Sequence, residues 1–338
     1  MTRDGFANLL GESPGLGEIR RRLDQLLAHA RQGCRLPPFL LLGETGTGKG
    51  LVAQEIHASG PRATRPFVSV NCAAIPETLL EAELFGFERG AFTDARQSKR
   101  GLFQEAHEGT LFLDEVGLLP LAVQAKLLMA VSERTVRRLG STRSEMVDVS
   151  LISATSVDLE EAVRAGAFRR DLYYRLAVLP IRLPPLRERG ADILLLARHF
   201  LAGAAADYGV AAKTLLPDAC ARLMSHHWPG NIRELANLME RLVILSVESE
   251  IGARQLDGLA ARASPPAGNG DAAMPATLHD SVDRFEREQL LAALARARGN
   301  LSEAARGLGI SRSTLRYRIV RQGIELHDTP GRRRPAAP

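Results

Sequence analysis

Short apolar runs alternate with helical periodicities through the first half of the chain. Leu16, Ile19, Leu23, Leu26 and Leu27 recur at the spacing of one helix face, after a lead-in at residues 9–14. Phe39 to Leu42 is a continuous apolar run of the kind that forms a strand covered on both faces. A helical pattern over 51–58 follows it. Residues 66–70, 110–115, 147–153 and 178–183 are the further strand candidates, the 147–153 run ending at Ala154-Thr155. Strand, helix and strand at this spacing predict parallel βαβ units and an α/β fold. Pro184-Pro185 interrupts the alternation, and from Asp192 to Val247 the periodicity is helical throughout, with Ile193, Leu196, Phe200, Leu215, Leu223, Ile232, Leu235 and Leu238. That pattern predicts a small helical domain. Within it Trp228-Pro229-Gly230 forms a turn, and Asn231 with Glu234 three residues on reads as a capping-box-like helix start.

Between the first strand and its helix stands Gly43-Glu44-Thr45-Gly46-Thr47-Gly48-Lys49, which has phosphate-loop spacing with an additional glycine at Gly46. Glycines let successive backbone N–H groups turn toward phosphate oxygens, and the helix N-terminus adds partial positive charge. Lys49 can then reach the β- and γ-phosphates. Gly50 follows where a Ser or Thr would offer magnesium a hydroxyl. The strand candidate at 110–115 ends in Asp114 and Glu115. Ligands of open α/β sheets gather at the carboxyl ends of strands, so these acids are expected to face the phosphate loop. Asp114 is the expected magnesium residue, acting through the ion's water shell, and Glu115 the group that orients and deprotonates water.

Composition narrows the class further. With 338 residues the chain has length for two or three domains, and 45% apolar with 25% charged residues is ordinary for a globular protein. No apolar run reaches membrane-spanning length. Cys34, Cys72 and Cys220 are few and scattered, which argues against a disulfide framework or zinc site and fits the cytoplasm. Of the net charge of +5, residues 271–338 contribute +4, from 12 arginines against 8 acids. That excess coincides with a fold signal. Phe285, Leu290, Leu291 and Leu294 mark one helix, and residues 300–308 a second, short one. Gly309 allows a turn, and Ser311 caps a third helix. Two short helices around a glycine turn, the second basic, predict a helix-turn-helix. Arg312, Ser313, Thr314 and Arg316 would meet base edges or phosphates, and Arg318 and Arg321 the backbone.

Glu83-Leu-Phe-Gly-Phe-Glu-Arg-Gly-Ala-Phe-Thr-Asp-Ala95 is not explained by general chemistry. It resembles the signature loop of bacterial enhancer-binding proteins, the AAA+ ATPases that activate sigma-54 RNA polymerase. The resemblance runs from about Leu9 to Leu259, and residues 281–325 resemble the Fis-type helix-turn-helix of that family. Asn71-Cys-Ala-Ala, Gly109 to Glu115, Phe168 to Leu176, Leu183 to Arg189 and Trp228 to Leu235 carry it as well.

The resemblance implies an AAA+ parallel sheet over 1–184 and a small helical lid over 185–260. A flexible linker over 261–280, an all-α helix-turn-helix over 281–325 and a disordered tail over 326–338 complete it. It implies ATP and Mg2+ as cofactors and ATP hydrolysis as the activity. Asn71 is implied as a switch holding Glu115, Thr155 as the γ-phosphate sensor and Arg233 as a second sensor. Arg169 and Arg175 are implied as fingers reaching a neighbouring subunit's site in a homo-oligomer, by analogy a hexameric ring. Gly90, Ala91, Phe92, Thr93, Asp94 and Ala95 are implied to contact sigma-54 RNA polymerase holoenzyme, and the C-terminal unit to bind enhancer double-stranded DNA. Four positions depart from the family: Asp94 for glycine, Phe87 for histidine, Ser156 for asparagine and Gly50 for a residue that is typically glutamate. Asp94 motivates an alternative expectation, a DNA-binding regulator that uses nucleotide for assembly without remodelling sigma-54. Since no sensory domain precedes Leu9, control by an inhibitory or sensory partner in trans is expected.

Overall fold

The computed structural model describes residues 6, 8–31, 36–92, 95–246, 248–260 and 301. The chain divides into two units, Met1–Pro265 and Pro266–Pro338. Cys34, Thr93, Asp94, the expected linker and tail, and Arg312, Ser313, Thr314, Arg316, Arg318 and Arg321 lie outside the described residues.

The apolar runs form one parallel sheet of five strands: β1 (Phe39–Leu42), β2 (Phe67–Asn71), β3 (Thr110–Asp114), β4 (Ser150–Thr155) and β5 (Leu179–Arg182). Their order is β2-β3-β4-β1-β5. Alternation along each strand divides the core in two, because successive side chains leave opposite faces. Phe39, Leu41, Phe112, Ile152 and Ile181 pack with α1 (Pro14–Arg31) and α2 (Lys49–Ser59). Leu40, Leu111, Leu113 and Leu151 pack on the other face with α3 (Glu77–Phe85), α4 (Leu121–Glu133) and α6 (Arg170–Leu176); α5 (Leu159–Arg164) adds Leu159. Burial on both faces explains why the inner strands β1 and β3 read as unbroken apolar runs.

Register then sets the site. Asn71 pairs with Asp114, and Leu42 pairs with both Thr155 and Arg182. The carboxyl ends of all five strands therefore lie along one edge, with the glycine-rich loop leaving it from β1, between β4 and β5.

A third apolar cluster belongs to the lid, formed by α7 (Asp192–Asp207), α8 (Pro217–Ser225), α9 (Asn231–Leu245) and α10 (Ala253–Ala260) around Trp228, Leu235 and Met239. Trp228 is buried and its Nε1 donates to the Leu223 carbonyl at 2.9 Å, which satisfies its single polar atom.

Three expectations are corrected, and a hairpin is added. Helix α2 starts at Lys49, directly off the loop. Strand β4 starts at Ser150, because Arg62 takes the 148 segment: it donates to the Asp148 carbonyl at 2.9 Å and its carboxylate at 2.6 Å. The arginine-containing stretch after α4 is a hairpin, Thr135–Arg137 against Ser144–Met146. The lid also holds a strand pair, Thr214–Leu215 with Glu250–Ile251, too short to leave a period in the sequence. Among the described residues no helix is long and apolar enough to cross a membrane.

Candidate active site

The loop after β1 has the backbone its glycines predict. Gly46 and Gly48 lie at φ 82° and 98°, the left-handed region that side chains resist. Gly46 is doubly constrained, since a Cβ there would stand 2.3 Å from the Gly230 carbonyl. Gly48 precedes α2 with no side chain capping the helix, so the first N–H groups of α2 remain available for an anion. A Cβ added at Gly50, in the first turn, would meet the Phe112 ring at 3.9 Å, an ordinary van der Waals contact.

Lys49 is buried at 6% exposure, and its Nζ donates to the Gly43 carbonyl at 2.8 Å and the Glu44 carbonyl at 3.2 Å. It also stands 3.6 Å from Glu115 Oε1. The ammonium thus lies between the loop and the acids that end β3, as the sequence requires. Burial, with the charge of Glu115 beside it, pushes the Asp114 carboxyl above the usual aspartate range, while Lys49 and Arg233 pull it back. Asp114 Oδ1 accepts from the Glu115 N–H at 3.1 Å. Arg233 is exposed and stands over the loop, its Cβ 3.3 Å from where a Gly46 Cβ would be.

The lid grips this loop through side chains and one backbone N–H at the start of α9 and through two arginines of the segment before α7. Asn231 donates to Glu44 Oε2 and the Thr45 carbonyl, each at 3.0 Å, and accepts from the Leu186 N–H at 2.8 Å. The Ile232 N–H donates to the Gly46 carbonyl at 3.0 Å. Arg187 forks onto both oxygens of Glu44, and buried Arg189 donates to the Thr47 carbonyl at 2.8 Å. The Thr47 hydroxyl donates to the Glu44 carbonyl at 2.8 Å. Arg187 and Asn231 hold the Glu44 carboxyl down at about 2. The capping-box reading of Asn231 is therefore corrected. Asn231 sits at φ 52° inside α9 with its amide spent on the loop, and Glu234 accepts from Gly230 instead, at 2.8 Å. Asn231→Ala removes three bonds, strands a buried N–H at Leu186 and strains a left-handed residue. It is expected to destabilise the fold by about 3 kcal/mol, read as a lower urea midpoint. A change under about 1 kcal/mol would contradict the clamp.

Thr155 is fully buried at the end of β4, its Oγ1 accepting from the Val157 N–H at 3.0 Å. Asn71 is exposed, and its Oδ1 accepts from Ala73 N–H at 2.9 Å, capping the turn at 72–74. No hydrogen bond joins it to Glu115 among the described residues. Glu115 Oε2 instead accepts from Ser156, from the backbone N–H at 3.0 Å and the hydroxyl at 2.9 Å. A cleft of ≈ 820 Å³ opens beside Gly43 and Glu44, bordered by Ser156, Tyr173 and Arg182.

Neither expected finger hydrogen-bonds to the loop of its own chain among the described residues. Arg169 is exposed and pairs with Asp171 at 2.7 Å, which raises the arginine and lowers the aspartate. Its backbone N–H donates to buried Gln124, which also holds the Leu119 and Ala167 carbonyls. Arg175 donates to the Val131 carbonyl at 3.1 Å and borders a small apolar pocket with Pro38, Val149 and Val178, just ahead of β1, β4 and β5. That is the opposite edge of the sheet from Lys49.

The signature loop follows α3. Gly90 takes φ 83°, and its N–H donates to the carbonyl of Ala95, while Ala91 donates to Glu88. Phe92 is 40% exposed, with its ring 4.9 Å from that of Phe87. The unexpected phenylalanine at 87 thus packs on the loop's aromatic residue. The 135–146 hairpin supports the base of the loop: Glu88 N–H donates to the Leu139 carbonyl, and Arg138 bridges Glu88 and Glu145.

Three families match successive parts of the chain: "Sigma-54 interaction domain" at residues 9–182, "AAA+ ATPase lid domain" at 187–272, and "Bacterial regulatory protein, Fis family" at 281–321. The response regulator protein PilR of Pseudomonas aeruginosa is 44% identical over 94% of this chain and 70% of its own length. The transcriptional regulatory protein ZraR of Escherichia coli is 48% identical over 83% of this chain and 63% of its own. NtrX from Brucella abortus, solved in complex with ADP, superposes with a TM-score of 0.68 at 35% identity, over 93% of this chain and 70% of that one.

Proposed function

The chain belongs to the family of sigma-54-dependent, enhancer-binding transcriptional activators, with an AAA+ lid and a Fis-type helix-turn-helix, and from that premise we propose that it hydrolyses ATP to remodel sigma-54 RNA polymerase at promoters. One observation carries the reading: Lys49, Asp114 and Glu115 converge at the edge of the sheet where the uncapped N-terminus of α2 begins.

In this reading the loop from Gly43 to Gly50 receives the phosphates through backbone N–H groups, and Lys49 leaves the carbonyls of Gly43 and Glu44 to meet them. Asp114 is the carboxylate that would hold magnesium, and a bound ion would neutralise the charge that develops in phosphoryl transfer. The raised Asp114 carboxyl fits a place prepared for positive charge. Glu115 accepts the proton of the attacking water. Thr155 lies one strand from Asp114 and serves as the γ-phosphate sensor, and Arg233 brings the lid's charge to the same phosphates. Asn71, paired with Asp114 in the sheet, belongs to the switching apparatus.

Among the described residues Arg169 and Arg175 make no hydrogen bond to the loop of their own chain, which supports a site completed by a second copy in a ring, a hexamer by family analogy. Gly90 to Ala95 form the contact with sigma-54, with Phe92 its exposed apolar member. The helix-turn-helix holds enhancer DNA, with Arg312, Ser313, Thr314 and Arg316 at the groove and Arg318 and Arg321 on the backbone.

The test separates binding from chemistry. Glu115→Gln is expected to retain ATP affinity within about threefold and to lower turnover about a hundredfold or more. A fluorescent ATP analogue titration and a phosphate-release assay read the two quantities. Unimpaired turnover would remove Glu115 from the base role, and absence of turnover in the unaltered protein would end the ATPase reading.

A further inference from the structure

The Glu115 carboxylate is already held in this structure, and not by the residue the family resemblance suggests. Glu115 has a left-handed backbone, φ 54° and ψ 46°, which swings its side chain from the end of β3 toward the end of the adjacent β4. There Oε2 accepts from the Ser156 N–H at 3.0 Å and from the Ser156 hydroxyl at 2.9 Å. Oε1 faces Lys49 Nζ at 3.6 Å. On the other side of β3, Asn71 is in register with Asp114, but its carbonyl oxygen is engaged by Ala73 N–H at 2.9 Å.

We propose that Ser156 is the positioning residue that latches the Glu115 carboxylate at rest, and that release of its hydroxyl sets the basal rate of hydrolysis. The proposal rests on the reading of Glu115 as the water-activating base. A carboxylate oxygen offers about two lone-pair directions, and both on Oε2 are filled by Ser156 donors. Water can take its place at Oε2 only after one donor leaves. The backbone N–H is fixed by the turn after β4, whereas the hydroxyl leaves by rotation about a single bond. The side chain makes no other hydrogen bond among the described residues, and Ser156 is exposed, so nothing else fixes that rotor. The departure at 156 from the family's asparagine therefore falls on the residue that touches the base. A serine here supplies one short, rotatable donor, in addition to the main-chain donor that any residue would keep.

The experiment is steady-state ATP hydrolysis by the full chain, comparing the unaltered protein with Ser156→Ala, Ser156→Thr and Asn71→Ala. Ser156→Ala keeps the main-chain donor and removes the latch. It is expected to raise basal kcat about three- to tenfold, with KM for ATP within about twofold. Ser156→Thr, which restores a hydroxyl, should bring kcat back to within about twofold of the unaltered protein. A melting temperature for Ser156→Ala within about 2 °C of the original shows that the change is not one of folding. An unchanged or lowered kcat in Ser156→Ala, with the unaltered protein hydrolysing normally, overturns the latch alone. A larger rise in Asn71→Ala than in Ser156→Ala also overturns it, by moving the hold to Asn71. Absence of hydrolysis in the unaltered protein overturns the ATPase reading and this inference together.

Discussion

Lys49→Ala is expected to lower ATP turnover about a hundredfold or more, and to weaken ATP binding with it, in a chain that still folds. The ammonium is buried between the loop carbonyls of Gly43 and Glu44 and the Glu115 carboxylate. A positive charge fixed there acts in low dielectric on the charge that spreads over the transferred phosphoryl group, where it counts for more than it would in water. The fold does not depend on it. Lys49 contributes to neither apolar face of the sheet, and the lid grips the loop through Asn231, Arg189 and Ile232 instead. Phosphate release and nucleotide titration measure the loss, and an unchanged urea midpoint identifies it as chemical. Turnover within about tenfold of the original would mean that the phosphates lie elsewhere.

Arg169→Ala is expected to cost about a thousandfold in turnover while leaving nucleotide affinity within a few-fold. The reason is position. Arg169 is exposed at the start of α6, and among the described residues its guanidinium hydrogen-bonds to Asp171 and to no group of the loop of its own chain. Such an arginine can stabilise phosphoryl-transfer charge only when carried to another copy's site. Mixing tells this apart from misfolding: Arg169→Ala subunits supply intact loops and Lys49→Ala subunits supply intact arginines. Mixed rings should therefore regain activity that neither variant has alone. No recovery on mixing, or a loss under about tenfold in Arg169→Ala, would rule out the trans arrangement.

Much of the site was legible because its chemistry is local. The glycines from Gly43 to Gly48 are adjacent in sequence, and Asp114 and Glu115 are the last residues of an apolar run, so pattern and strand polarity together place them. The sheet was legible for a similar reason, since strands buried on both faces leave unbroken runs such as Phe39 to Leu42. What escaped was assembled across sequence distance. Asn231 looked like a cap because the turn before it and the glutamate after it have cap spacing. Only the folded chain brings Glu44 and Thr45 to its amide and turns its backbone left-handed. Gln124 was a polar residue on an apolar helix until the 167–169 segment closed on it. Ser156 registered as a departure from the family, and its meaning depends on the left-handed turn at Glu115, which no periodicity encodes. The 147–149 stretch read as strand from its valines, but Arg62, Glu108 and Arg134 engage its backbone.

The central claim is that hydrolysis at this site is spent on opening promoters bound by sigma-54 RNA polymerase. The most direct measurement is permanganate reactivity of promoter bases in a purified system containing that holoenzyme, an enhancer-bearing template, the full chain and ATP. Melted bases are expected with ATP, none without nucleotide, and none with Lys49→Ala. ATP hydrolysed at full rate with the promoter still closed at every concentration of the protein would contradict it.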